Sequence, residues 1–293
     1  MHHPPRSTLH APRPATRAFT MIEIAVSLAI IGFALVAIIG VLPYGMNVQK
    51  DNREETIINQ DTTVLMNAIR SGAQGMDDLT NYVVAITNEV TRYNNGAVKG
   101  PTVKYGYTLT SSSMSPQFKL INGFRIVGLL STPKYVPLPF AKPPGFLSNN
   151  VMAYVRSMSG PANEKFPQTN SSMQDLAFSY RMTSEVVPYG TNYYDPSWIN
   201  YAAFPTNSPE YLARYNYSLL TANLQANLND LRLLFRWPLR SQGKVGQGGQ
   251  SFRTLVGGTL QETNEFGFAR QDPLTPSPYD LFFFQPRTYV KAP

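Results

Sequence analysis

The side chains that most often do chemistry are missing from most of this chain. All three histidines (His2, His3 and His10) fall within the first ten positions, and there is no cysteine among 293 residues. A chain without thiols makes no disulfide, no thiolate zinc site and no cysteine nucleophile, and its redox compartment stays open. Imidazole, the commonest general base and a leading transition-metal ligand, is confined to that short N-terminal stretch. The carboxylates show no organising spacing: Asp77-Asp78 lack a calcium-loop pattern, Asp272 and Asp280 stand isolated, and no G-x-S-x-G occurs. Gly243-Lys244-Val245-Gly246-Gln247-Gly248-Gly249 lacks the G-x-x-x-x-G-K-[ST] order, and no helical pattern follows it, so a flexible hairpin loop is expected. No catalytic residue, metal or cofactor is expected, and the chain does not read as an enzyme.

Two charged features remain. Along Leu231-Arg232-Leu233-Leu234-Phe235-Arg236-Trp237, the alternation puts Leu231, Leu233, Phe235 and Trp237 on one strand face and Arg232 and Arg236 on the other. Arg240 could extend this basic row, and Lys244 follows. A solvated face over a buried aromatic one competes here with an anion or DNA contact surface. The second feature is Glu23, the only charge between Arg17 and Lys50. The net charge of +7 shrinks once residues 1–18, with Arg6, Arg13 and Arg17 and no acid, are set aside. The remainder holds 22 basic and 18 acidic residues, an ordinary balance that does not announce a nucleic-acid binder.

The element around Glu23 is a membrane segment. Residues 24–42 (IAVSLAIIGFALVAIIGVL) are nineteen residues without a charge. At about 1.5 Å per residue they come close to the roughly 30 Å of a bilayer core. No A-x-A-like site follows Leu42, as it would after a secretory signal. The arginines ahead of the span stay in the cytoplasm by the positive-inside rule, placing the chain after about Leu42 outside. The Pro-rich start (Pro4, Pro5, Pro12, Pro14) is not expected to fold.

Ala18-Phe19-Thr20-Met21-Ile22-Glu23, followed by the apolar run, resembles the N-terminal motif of type IV pilins and type II secretion pseudopilins. The resemblance implies that a prepilin peptidase of the inner membrane cuts between Ala18 and Phe19 and methylates the new Phe19 amine. Residues 1–18 are then a cleaved leader, and the mature chain has neither His nor Cys. The family usually has Gly where this chain has Ala18, the smallest alternative. Glu23 becomes the motif's acid. Such a carboxylate is tolerable near the interface, where a helix N-terminus favours it. In a fibre core it needs a cation, and the Phe19 amine of a neighbour would supply one. The implied partners are the peptidase, other pilin or pseudopilin subunits, an inner-membrane assembly platform and membrane lipid, with nucleic acid not expected. The precursor would sit in the inner membrane as a single-pass protein and the mature form in a periplasmic or cell-surface fibre. A membrane-anchored binding protein that never polymerises, and a DNA-uptake pilin with a basic strand face, are the alternatives.

The expected fold is α+β and pilin-like. One helix over 19–71, with a membrane-spanning half and an amphipathic half, packs on an antiparallel sheet of a β-rich domain over 72–293. Aromatic content of 12% against 15% charged residues suits such a packed domain. In the amphipathic half, Ile57, Ile58, Val64, Leu65, Ala68 and Ile69 fall within roughly 140° of a helical wheel, interrupted by Glu54 and Asp61. Pro43, between Gly40 and Gly45, predicts a kink or local melting, and Gly72 and Gly75 a stop. Leu79, Val83, Ile86, Val90 and Tyr93 predict a second helix over 76–93. Strands are expected at 102–110, 117–130, 151–157, 175–187, 229–237 and 251–261. The five prolines of 133–144 suit an extended connector. The aromatic stretch 189–217, with Tyr193, Tyr194, Trp198 and Tyr201, reads as a long loop packed on its own domain or as an exposed sugar-stacking surface.

Overall fold

A computed structural model describes residues 19–72, 76–94, 98–109, 117–138, 145–159, 178–190, 195, 198, 200–240, 243–264 and 277–291. The leader, Ala18, Gly75, Tyr193, Tyr194 and Asp272 lie outside them. Internal contacts divide the chain into two units, Met1–Arg53 and Glu54–Pro293. In the first, helix α1 (Met21–Ser71) begins, and every described residue from 19 to 53 is exposed. Among the described residues α1 is the one helix long and apolar enough to cross a membrane. The helix does not melt at Gly40–Gly45; it runs unbroken through Pro43, which lacks the N–H that would bond Ile39.

In the second unit α1 turns amphipathic and ends at Gly72, whose φ of +70° suits a residue without Cβ. Its buried side chains Ile58, Leu65, Ala68 and Ile69 join one hydrophobic core with the strands. These are β1 (Val83–Asn94), β2 (Val98–Thr108), β3 (Gln117–Lys119), β4 (Tyr135–Leu138), β5 (Gly145–Arg156), β6 (Ser179–Pro188), β7 (Leu228–Leu239) and β8 (Val245–Gly257). They form one eight-stranded sheet in the order β3-β2-β1-β5-β6-β7-β8, with β4 beside β5. Every pairing is antiparallel except β2 with β3. At Gly258, with φ of +114°, the chain leaves the sheet for a separate ribbon of β9 (Thr259–Asn264) and β10 (Asp280–Gln285). Helices α2 (Gly123–Leu130) and α3 (Pro209–Asn227) complete the unit. The protein is therefore α+β, with one long apolar N-terminal helix and a mostly antiparallel sheet.

Five expectations are corrected. Residues 76–93 are not a helix but a 3₁₀ turn (Asp77–Asn81) followed by β1. The helical spacing was counterfeited by a β-bulge: Val83 pairs with Val155 and Ala85 with Tyr154, so one extra residue puts Val83 and Ile86 on the same face. Tyr93 instead turns to the other face and stacks on Phe146 at 5.0 Å. Within 117–130 only β3 is strand. Asn122 accepts the Arg125 backbone N–H at 2.9 Å and so caps α2, and a continuous apolar run does not distinguish a strand from a buried helix. The aromatic stretch 189–217 runs into α3, where Ser208 caps the first turn by accepting from the Tyr211 N–H at 3.1 Å. The glycine-rich hairpin is shorter than expected, because Val245–Gly249 already belong to β8. Within the proline-rich stretch, Tyr135–Leu138 pairs as β4 instead of serving only as a connector.

Candidate functional site

The residues at the head of α1 build a capping box. Glu23 Oε2 accepts from the Thr20 backbone N–H and from its hydroxyl, each at 2.8 Å, while Thr20 Oγ1 accepts from the Glu23 N–H at 3.3 Å. Thr20-x-x-Glu23 is the sequence signature of this reciprocal pair, and it satisfies two N–H groups that no earlier turn can reach. The carboxylate thus has local work independent of any neighbour. Phe19, just ahead of the cap, is 82% exposed. Phe19, Thr20 and Glu23 therefore stand together at one helix tip, while Pro43 lies six turns further on and is no part of that cluster.

Further along α1, Asp61 is buried completely. Its Oδ1 accepts from the Ser159 N–H at 3.0 Å and from the Ser159 hydroxyl. Its Oδ2 accepts from the Met158 N–H at 2.9 Å and from the Tyr180 hydroxyl at 3.0 Å. Burial pushes the carboxyl above the usual aspartate range against the pull of those donors. Burial and the Asp61 charge together push the Tyr180 phenol well up. Asp61 therefore fastens α1 to the end of β5 and the start of β6. The amphipathic stripe carried this signal: an acid flanked by Ile57, Ile58 and Leu65 must be buried and partnered, not a mere interruption. Val64, counted on the stripe, is 43% exposed.

The basic row on β7 does not survive as one surface. Asp230, fully buried, accepts from Arg232 Nε at 2.8 Å and Nη2 at 2.6 Å, and from Arg253 Nε at 2.8 Å. Burial alone would raise the Asp230 carboxyl, but these arginines outweigh it and hold it below the ordinary value. Arg232 is thereby neutralised in a structural cluster. Arg236 lies opposite Arg181 of β6, and Arg240 closes the β7–β8 hairpin, its N–H donating to the Lys244 carbonyl at 2.7 Å. Of the aromatic stretch, Tyr201, Tyr211 and Tyr215 pack on one another and Arg214 lies over Phe204 and Trp198. Asp280 is on β10, where its Oδ2 accepts from the Ser277 N–H at 3.2 Å.

Chemically, the helix tip offers a carboxylate held by Thr20 next to Phe19, and the rest of α1 offers an apolar stretch followed by a docked one. Among the described residues, no group of three or more His, Asp or Glu is placed to hold a metal ion. In comparisons with known proteins, no family model, no curated protein and no solved structure matches this chain.

Proposed function

We propose that this chain is a prepilin-like structural subunit, a minor pilin or pseudopilin, processed between Ala18 and Phe19 and assembled into a fibre through α1. The observation that carries the reading is the division of labour along one 51-residue helix. The prepilin-like motif heads a stretch whose apolar side chains are exposed among the described residues. The last third of the same helix is fastened into a domain. A second copy or lipid can cover the first part, and the domain then rides outside. In this role the chain holds and transmits position and catalyses nothing. The DNA-uptake alternative loses ground, because Asp230 already occupies Arg232.

Glu23 supplies the test, since its capping and its charge can be separated. In a fibre core the carboxylate loses water and must meet a cation or take up a proton. The Phe19 amine, which exists only after cleavage, is that cation. Glu23→Gln keeps the cap, as Gln serves at this position, but removes the charge. Thr20→Val removes the hydroxyl of the cap but keeps the charge. With membrane insertion and cleavage checked in parallel, Glu23→Gln should be lost from the sheared-fibre fraction and Thr20→Val should remain in it. If Thr20→Val fails and Glu23→Gln assembles, the carboxylate serves only the cap.

A further inference from the structure

The outer face of the sheet carries an arrangement that the assembly role does not use. Arg181 on β6 and Arg236 on β7 are directly paired across the strands. Cross-strand partners hold their Cβ atoms about 5 Å apart, and like charges placed so repel. Among the described residues neither guanidinium meets a carboxylate, although Arg232, two pairs along the same face, has Asp230 and Glu185 beside it. The Nε–H of Arg181 is buried and has no hydrogen-bond partner, a state that is costly for a charged donor. Arg236 lies exposed across Gly249 of β8. A Cβ at that glycine would stand 2.7 Å from Arg236 Nη1 and 3.1 Å from its Cδ. The missing side chain therefore makes the bed on which this arginine rests. The hairpin just beyond adds Arg240 and Lys244 and no acid.

A cross-strand arginine pair with no carboxylate beside it, exposed at Arg236, lacks an oxyanion. We propose that Arg181 and Arg236 form a binding site for a single phosphate group. The planar guanidinium fork matches a tetrahedral oxyanion with two parallel hydrogen bonds, which an ammonium does not offer. One phosphate oxygen accepts from a terminal N–H of Arg181, whose Nε lies buried out of reach, and a second accepts from Arg236, so the like-charge pair becomes a bridge. The same chemistry is presented by free phosphate and by a phospholipid headgroup. A nucleic acid would need a longer basic track, and Asp230 interrupts that track at Arg232.

The experiment uses the full chain in neutral detergent and follows thermal unfolding with inorganic phosphate added at constant ionic strength. Phosphate should raise the unfolding temperature saturably, as a ligand bound only to the folded state does. Chloride at equal ionic strength should not. Arg236→Gln, at an exposed position, should unfold no earlier than wild type without phosphate, since the repulsion is gone. It should unfold earlier than wild type in saturating phosphate, so the order of the two proteins crosses. Arg236→Lys should lose most of the phosphate response while keeping the charge. Gly249→Val, which displaces Arg236 from its bed with both charges intact, should weaken it too. Reconstitution into phosphatidylcholine with and without phosphatidylglycerol separates the sources. A stabilisation by the anionic lipid that Arg236→Gln abolishes assigns the site to headgroups, and a response to free phosphate alone assigns it to a soluble ligand. An equal effect of chloride, or an unchanged response in Arg236→Gln, would overturn the site. Binding to duplex DNA that loses affinity with salt as steeply as several phosphate contacts require would also overturn it in favour of a nucleic-acid surface.

Discussion

Asp61 sits fully inside the domain and yet accepts four hydrogen bonds, and the two facts pull its protonation in opposite directions. Burial prevails, so the folded carboxyl titrates above the unfolded one. Between the unfolded value of about 3.9 and the raised folded value, the folded chain binds more protons than the unfolded one. The stability contributed by Asp61 is therefore greatest at acid pH and is lost as pH rises through that window. Asp61→Asn should flatten this part of the stability-against-pH curve. It should also cost about 1–3 kcal/mol, because the amide keeps one acceptor oxygen and turns a donor toward the Met158 or Ser159 N–H. Denaturant unfolding of the full chain in detergent, followed by tryptophan fluorescence from acid to neutral pH, measures both. A slope unchanged in Asp61→Asn would mean that another group sets it.

Whole elements were legible in the sequence where one signal pointed one way. The apolar run of α1, the Gly72 stop and the alternation of β7 each correspond to what forms, because charge-free length, a left-handed glycine and period-two burial have few other readings. Legibility failed where two periods coincide. In β1 the bulge after Val83 converts a strand into a helix-like spacing, and only the pairing with Tyr154 of β5 reveals it. In α2 the residues are buried nearly all round, leaving no polar face to show its period. At the functional end, Thr20-x-x-Glu23 was present as a pattern, whereas the buried partners of Asp61, a serine and a tyrosine 98 and 119 positions away, were not. Packing of α2 against β10 offers a direct check of the corrected elements. Phe124 and Phe283 stack at 4.1 Å, and a Cβ on Gly128 would come within 2.6 Å of the Phe283 ring and 2.8 Å of Leu281 Cβ. Gly128→Val should therefore destabilise the domain by about 1–3 kcal/mol through overpacking, read as an earlier unfolding midpoint. The same substitution would cost little if the segment were an exposed strand.

At the scale of the molecule, the first fifty residues and the domain answer to different surroundings. The described residues from Phe19 to Arg53 are exposed and hold an apolar run long enough to cross a membrane, while the domain is held by its own core. The proposed role joins these through one processing event, because the Phe19 amine that Glu23 would meet in a neighbour does not exist in the precursor. The mature N-terminus of the protein isolated from membranes and from sheared fibres is therefore the most direct measurement. Mass spectrometry should find a chain beginning at Phe19 with one methyl group on its amine. Ala18→Leu, which puts a bulky residue at the cut, should leave the chain uncut in the membrane and absent from fibres. Finding Met1 still attached to protein in assembled fibres would contradict the account.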